Sequence, residues 1–331
     1  MTITAHPEVV PRQLTTTHAA SDRIFHGAAR TVGLFVLCMT GAIGVFLGYQ
    51  SIPTLRHYGL HFFTQTQWQP ELDHIGIAAV LVGTVEVALV ALVVGFPFAF
   101  MVALFVSDYA PKRAKSWLVS AIDLMAAVPS IIYGLWGFYL LMPRATEVAR
   151  WLSEYLSFIP IFKVNTDAHA AVWQQSRYTS SVFIAGLTVS MMTIPLACAV
   201  MRGVFDQAPA GEREAAMALG GTRWGGARMV VFPFAKGGII GGTMLALGRA
   251  LGETAAVLII VSPDFTIKDR ILEAGAQTTS ALIAGNFGDA TRSQLSALLT
   301  AGFVLFLITI IVNSAAAVVI RRSRSGALTE I

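Results

Sequence analysis

The sequence predicts an all-α, polytopic membrane protein with about six transmembrane helices, on three observations. Hydrophobic residues make up 55% of the 331 and charged residues only 13%, whereas soluble domains carry about 25% charge. The apolar residues gather into six runs, each near the roughly 20 residues that a helix needs to cross a bilayer. Lys and Arg are distributed unevenly between those runs. With a cytoplasmic N-terminus, about fourteen lie on the cytoplasmic side and about eight outside, which is the bias that sets orientation. An even number of spans then returns the C-terminus to the cytoplasm.

The elements follow in order. Residues 1–29 read as a cytoplasmic tail with Pro7 and Pro11, in which Ser21 to Arg30 suits a short interfacial helix. Residues 30–331 form the transmembrane domain, with a core at about 77–320. The first span is about Thr31–Ser51, followed by a loop with Tyr58, Phe62, Phe63 and Trp68, rings that favour the headgroup level. The second is about Ile77–Val106 and holds Glu86 and Pro97. After a basic turn (Lys112, Arg113, Lys115) the third runs from about Trp117 to Met142, with Asp123 early and Pro129 kinking it. A long polar loop, 143–180, carries apolar residues at helical spacing. The fourth span is about Ser181–Met201, the fifth Gly237–Val261 and the sixth about Ala297–Ile320, closed by Arg321, Arg322 and Arg324.

Several function classes are excluded. No basic stripe is interleaved with aromatics, so nucleic acid is not a partner. Cys38 and Cys198 both fall in apolar runs and read as small buried hydrophobes, not a disulfide or a metal site. The chain lacks G-x-x-x-x-G-K-[ST], H-E-x-x-H and G-x-S-x-G, so it neither hydrolyses ATP through a P-loop nor carries a zinc or serine hydrolase site. The seven histidines lie outside the spans, against a histidine proton relay. No cofactor is expected on this chain. No cleavable signal precedes the first apolar run.

Two stretches carry chemistry. The fifth span holds Arg249 and Glu253 near its middle, where an ionised side chain costs about 2.5–3.5 kcal/mol on translocon scales. Four residues apart on one helix, they share a face and can pair. Either the pair only tolerates burial, or Arg249 offers its planar fork of donors to a tetrahedral oxyanion. Glu86 and Asp123 are the other ionisable residues inside spans and are weaker candidates for the same pathway. Gly238 and Gly242, then Gly248 and Gly252, are small-xxx-small pairs, suited to packing within the chain or to a subunit interface. The loop before this span, from Glu212 to Lys236, reads as a helix stopped by Gly220 and Gly221. A second short helix follows, from Arg223 to Val231, until Pro233. It would present Arg213, Glu214 and Trp224 to a soluble partner.

That loop resembles the permease subunits of ABC importers. Their signature is E-A-A, three residues, G, nine residues, I-x-L-P, and Glu214, Ala215, Ala216, Gly220 and Pro233 match it, with Val230 for Ile and Phe232 for Leu. The resemblance implies a permease core with a cytoplasmic coupling helix docked on a separate ATPase subunit. Residues Ala127–Gly137 (AVPSIIYGLWG) and Gly248–Val257 (GRALGETAAV) resemble phosphate permeases of the PstC type. Sulfate and molybdate permeases share R-A-L-G-E, so Arg249 and Glu253 imply an oxyanion; Thr254 and the Pro129–Ser130 segment favour phosphate. The implied partners are a homologous PstA-like permease, two ATPase subunits holding ATP and Mg, and a periplasmic phosphate-binding protein, all at the bacterial cytoplasmic membrane. An ion-coupled secondary transporter, with Glu86, Asp123 and Glu253 as proton carriers, is the rival from another class.

Overall fold

The computed structural model describes residues 20–164 and 177–323. Residues 1–19 of the expected tail, residues 165–176 of the long loop and Arg324 lie outside the described residues, as do the side chains of Arg321 and Arg322.

Helix α1 (Ala20–Tyr58) is longer than the expected span at both ends. Its C-terminal end is held by Asp73, whose carboxylate accepts from Tyr58 Oη at 2.5 Å and approaches His57 Nε2 at 2.9 Å. These two hydrogen bonds, Tyr58 first, hold the Asp73 carboxyl below its ordinary range. After the short α2 (His61–Thr64), strands β1 (Trp68–Gln69) and β2 (His74–Ile75) form an antiparallel hairpin with Trp68 opposite Ile75. Helix α3 (Ala78–Leu104) ends in a π turn, Phe105–Tyr109.

The expected third span is not one kinked helix. Helix α4 (Lys112–Ala127) and the run α5 (Ser130–Trp136), π turn Gly137–Leu141 and α6 (Met142–Tyr155) meet at 92°. Pro129 forces its predecessor out of the helical region, and Val128 is accordingly extended at ψ 129°. Helix α7 (Val182–Phe205) follows, capped by Ser181 Oγ accepting from Ile184 N. Next come α8 (Ala210–Ala218), α9 (Arg223–Gly226) and a π turn, Ala227–Val231.

Helix α10 (Phe232–Leu251) continues directly from that turn. The expected stop at Pro233 therefore does not occur: the helix runs on from Arg223 to Leu251, and the π turn Ala227–Val231 just before the proline is the local adjustment that accommodates its missing donor. The fifth span also breaks, with α11 (Ala255–Ile260) starting anew after Gly252–Thr254. Helices α12 (Thr279–Asn286) and α13 (Arg292–Ser323) complete the chain.

Among the described residues, five helical segments are long and apolar enough to cross a bilayer, or six when the bent pair counts as one span. The chain is a multi-pass membrane protein. It divides into two compact units, residues 1–46 and 47–331. In the first, residues 23–43 are exposed throughout, apolar Phe35 and Leu37 among them, as lipid contact requires. The second is built on the packing of α3 against α7, with α10 laid across both and against α13. Its core joins Val87 and Ala91 of α3, Ile184 and Val189 of α7, Leu251 of α10 and Val257 of α11.

Small residues make these approaches possible. A Cβ at Gly238 would fall 2.3 Å from Val204 Cγ2, and one at Gly242 3.2 Å from the Ala197 carbonyl, so this pair seats α10 on α7. Gly248 instead faces Asn313 of α13. The glycines at 238, 242 and 248 thus serve packing within the chain. Gly238→Val should lower the thermal stability of the detergent-solubilised chain by about 1–3 kcal/mol. Gly203→Val, which meets open space on α7, is the control, and equal melting of the two variants would refute this packing role.

Candidate functional site

The chemistry-bearing residues of the fifth span sit at a helix break. Helix α10 ends at Leu251, and Glu253 turns inward, only 7% exposed. Its Oε1 accepts from the Ala256 amide at 3.2 Å and so caps the first turn of α11. Its backbone carbonyl accepts from Ser280 Oγ at 2.6 Å, tying the break to the start of α12. Thr254 Oγ1 donates back to the Gly252 carbonyl at 3.2 Å.

The expected Arg249–Glu253 pair does not form, because the helix that would align them has ended. Arg249 lies in the last turn of α10 and is exposed. Among the described residues no ion pair or hydrogen bond engages its side chain. Its charge is within electrostatic reach of the Tyr133 hydroxyl on α5.

The second break, at Val128–Pro129, lies beside the first. A Cβ on Gly134 of α5 would come within 2.8 Å of the Ala256 Cα of α11, so the half-helices are in backbone contact. Gly137 approaches Thr188 of α7 as closely. Tyr133 Oη donates to the Met125 carbonyl at 2.9 Å, which also accepts from Val128 N at 3.2 Å, so the tyrosine adds a second bond to the last turn of α4. Ser130 is the first residue of α5. Arg249, Glu253, Thr254 and Ser130 therefore lie on two broken helices packed against each other. Such paired breaks aim half-helix termini and a guanidinium at one region, which suits an anion.

Glu86 and Asp123 have other partners. Half-buried Glu86 stands two turns into α3, and its charged neighbour is Asp269 in the 262–278 loop. Asp123 stands one turn before the end of α4, 3.6 Å from Arg202 Nη2 near the end of α7. Among the described residues, no hydrogen bond or ion pair links either carboxylate to Arg249, Glu253, Thr254 or Ser130. In the 262–278 loop, Asp264 pairs with Lys268 at 2.6 Å. Burial pushes its carboxyl up, but the hydrogen bonds from Lys268 and Thr266 outweigh that and hold it below its ordinary value.

Helix α8 buries none of its residues. Glu214 and Ala215 are exposed, and the apolar Met217, Leu219 (90% exposed), Trp224 and Met229 are left open around them. The end of α8 explains the glycine of the motif. Gly221 N donates to the Ala216 carbonyl and Gly220 N to that of Met217, a Schellman closure with Gly220 at φ +82°. Thr222 then caps α9 by accepting from Gly225 N. Pro233 follows at the start of α10. Arg213 is the exception to the exposed face: it turns inward to Asp108. Sequence reasoning missed Asp108 and Tyr133. Nothing local marks them, since Asp108 meets a partner 105 residues away.

Glu253→Gln keeps an acceptor for the Ala256 amide and should melt like the parent chain, whereas Glu253→Ala should lose about 1–2 kcal/mol, as lost caps do. Equal destabilisation of both variants in thermal unfolding would assign the effect to the charge instead.

The model of the family "Binding-protein-dependent transport system inner membrane component" matches residues 95–325. Among curated relatives, the phosphate transport system permease protein PstC 2 of Mycobacterium tuberculosis is 36% identical over 299 residues, covering 89% of this chain and 90% of that protein. The phosphate transport system permease protein PstC of Pasteurella multocida is 34% identical over 306 residues, covering 92% and 93%. Among solved structures, a bacterial alginate ABC transporter in complex with an alginate pentasaccharide-bound periplasmic protein aligns at TM-score 0.56 and 14% identity, over 92% of this chain and 96% of that one. The inward-facing MetNI methionine ABC transporter aligns at TM-score 0.51 and 14% identity, over 78% and 99%. These two likenesses concern the fold: an all-α permease architecture.

Proposed function

We propose that this chain, which belongs to the family of binding-protein-dependent transport system inner membrane components, is the permease subunit of an ATP-driven importer of inorganic phosphate. The observation that carries the substrate is the identity of 34–36% to phosphate permeases across about nine-tenths of both chains. The sulfate or molybdate reading draws no support from these relatives. An ion-coupled secondary transporter does not fit the family.

The chain works beside a homologous, PstA-like permease, with the anion pathway between them. A periplasmic phosphate-binding protein delivers the ion. Two ATPase subunits, which hold ATP and Mg, grip the coupling segment at Glu214, Ala215, Ala216 and Gly220. The chain itself binds no cofactor. Both termini face the cytoplasm of the bacterial cell, by the distribution of Lys and Arg.

Within the pathway, Arg249 meets the anion in transit. This role is supported by its exposure at the end of α10 and by the lack, among the described residues, of a carboxylate paired with it. Thr254 and Ser130 add polar groups at the two half-helix starts. Glu253 acts by fixing the break that aims Arg249. A single open site of this kind binds weakly enough to release, while tight binding belongs to the delivery protein.

Labelled phosphate should enter a strain that lacks its own importer when this chain and its partners are supplied, and excess sulfate should not compete; competition by sulfate would transfer the chain to the other oxyanion class. Arg249→Lys keeps the charge but loses the fork, and uptake should fall about tenfold, a difference of about 1.4 kcal/mol. Unchanged uptake would remove Arg249 from the pathway.

A further inference from the structure

Arg213 precedes the motif glutamate, yet its side chain leaves the exposed face of α8. Nη1 donates to Asp108 Oδ1 at 2.5 Å, and Nη2 donates to the Phe205 carbonyl. Both side chains of the ion pair are largely buried, 22% and 11% exposed. Asp108 lies on the π turn that ends α3, and Phe205 is the last residue of α7. One guanidinium therefore bridges α8 to the two spans that form the centre of the fold.

The surroundings are built to the same end. Asp206 Oδ1 accepts from Lys115 Nζ of α4 and from Ser107 Oγ of the same π turn, each at 2.9 Å. Phe100, Phe205 and Phe232 stack behind the pair, with ring centroids 5.2–6.3 Å apart. Among the described residues, the side chains of α8 make no other hydrogen bond or ion pair to the spans. Successive residues on a helix point about 100° apart, so Glu214 can face a partner while Arg213 faces the body.

We propose that the Arg213–Asp108 pair is the positioning contact that passes displacement of α8 to α3 and α7. This rests on the importer reading above. A planar fork held by acceptors on two helices resists shear as well as separation, which a lysine would not. Removing either partner strands a buried charge. The π turn carrying Asp108 gives the end of α3 a looser register that can move with its carboxylate.

The test uses the whole transporter in proteoliposomes, with the second permease, the ATPases and the binding protein, measuring phosphate uptake and ATP hydrolysis together. In Asp108→Asn and Arg213→Gln, uptake per ATP hydrolysed should fall about tenfold, within the range of coupling free energies. Arg213→Lys should fall between these and the parent, and the exchanged pair Asp108→Arg with Arg213→Asp should recover much of the ratio. A ratio equal to the parent's in the single variants overturns the proposal, as does a parallel loss of uptake and hydrolysis, which is what a merely structural contact gives. Should the neutral variants fail to assemble, Arg213→Lys decides alone: an unchanged ratio overturns the proposal. A parent complex that carries sulfate and not phosphate would sink the substrate reading, and the same ratio is then measured with sulfate.

Discussion

Everything at the candidate site depends on one constraint: inside a bilayer, each backbone donor and acceptor needs a protein partner, at several kcal/mol apiece. A helix that stops at mid-depth must find substitutes. Here the end of α4 is served by Tyr133 Oη, the start of α11 by Glu253 Oε1, and the carbonyl of Glu253 by Ser280 Oγ. With those groups in place, two helices can break side by side, and Arg249 has no counter-ion among the described residues. The carboxylate spent on the backbone is the one that would have neutralised it.

Close approach is the second condition. The breaks lie together because Gly134 admits the backbone of α11, and α10 reaches α7 because Gly238 and Gly242 carry no side chain. These contacts run from the breaks through α7 and α10 toward α8. The chain thus links its polar centre to the exposed α8 through packed helices, with the Asp108–Arg213 pair at the far end.

The apolar spans, the helix before Gly220 and its terminating glycine were legible in the sequence, because hydropathy runs and turn chemistry are local. Arg249 and Glu253 stood out because charge in an apolar run is conspicuous. Their relation was misread: a spacing of four implies pairing only if the helix continues, and the break after Gly252 rests on the hydroxyl that Ser280 of α12 donates to the Glu253 carbonyl. Pro129 was legible as a disturbance but not as a 92° bend, which is set by how α5 packs on α11. Pro233 misled in the opposite direction, because the π turn before it lets the helix run on through the missing donor. Asp108 and Tyr133 were silent, since their partners lie in other segments.

The open tip of α8 bears on the life of the protein before assembly. Met217, Leu219, Trp224 and Met229 form an apolar surface beside charged residues, tolerable in water only while covered. A newly made chain shows this surface from insertion until a partner covers it. Orphan copies are therefore the ones open to aggregation and proteolysis. On the importer reading that partner is an ATPase, and the amount of this subunit then follows its supply.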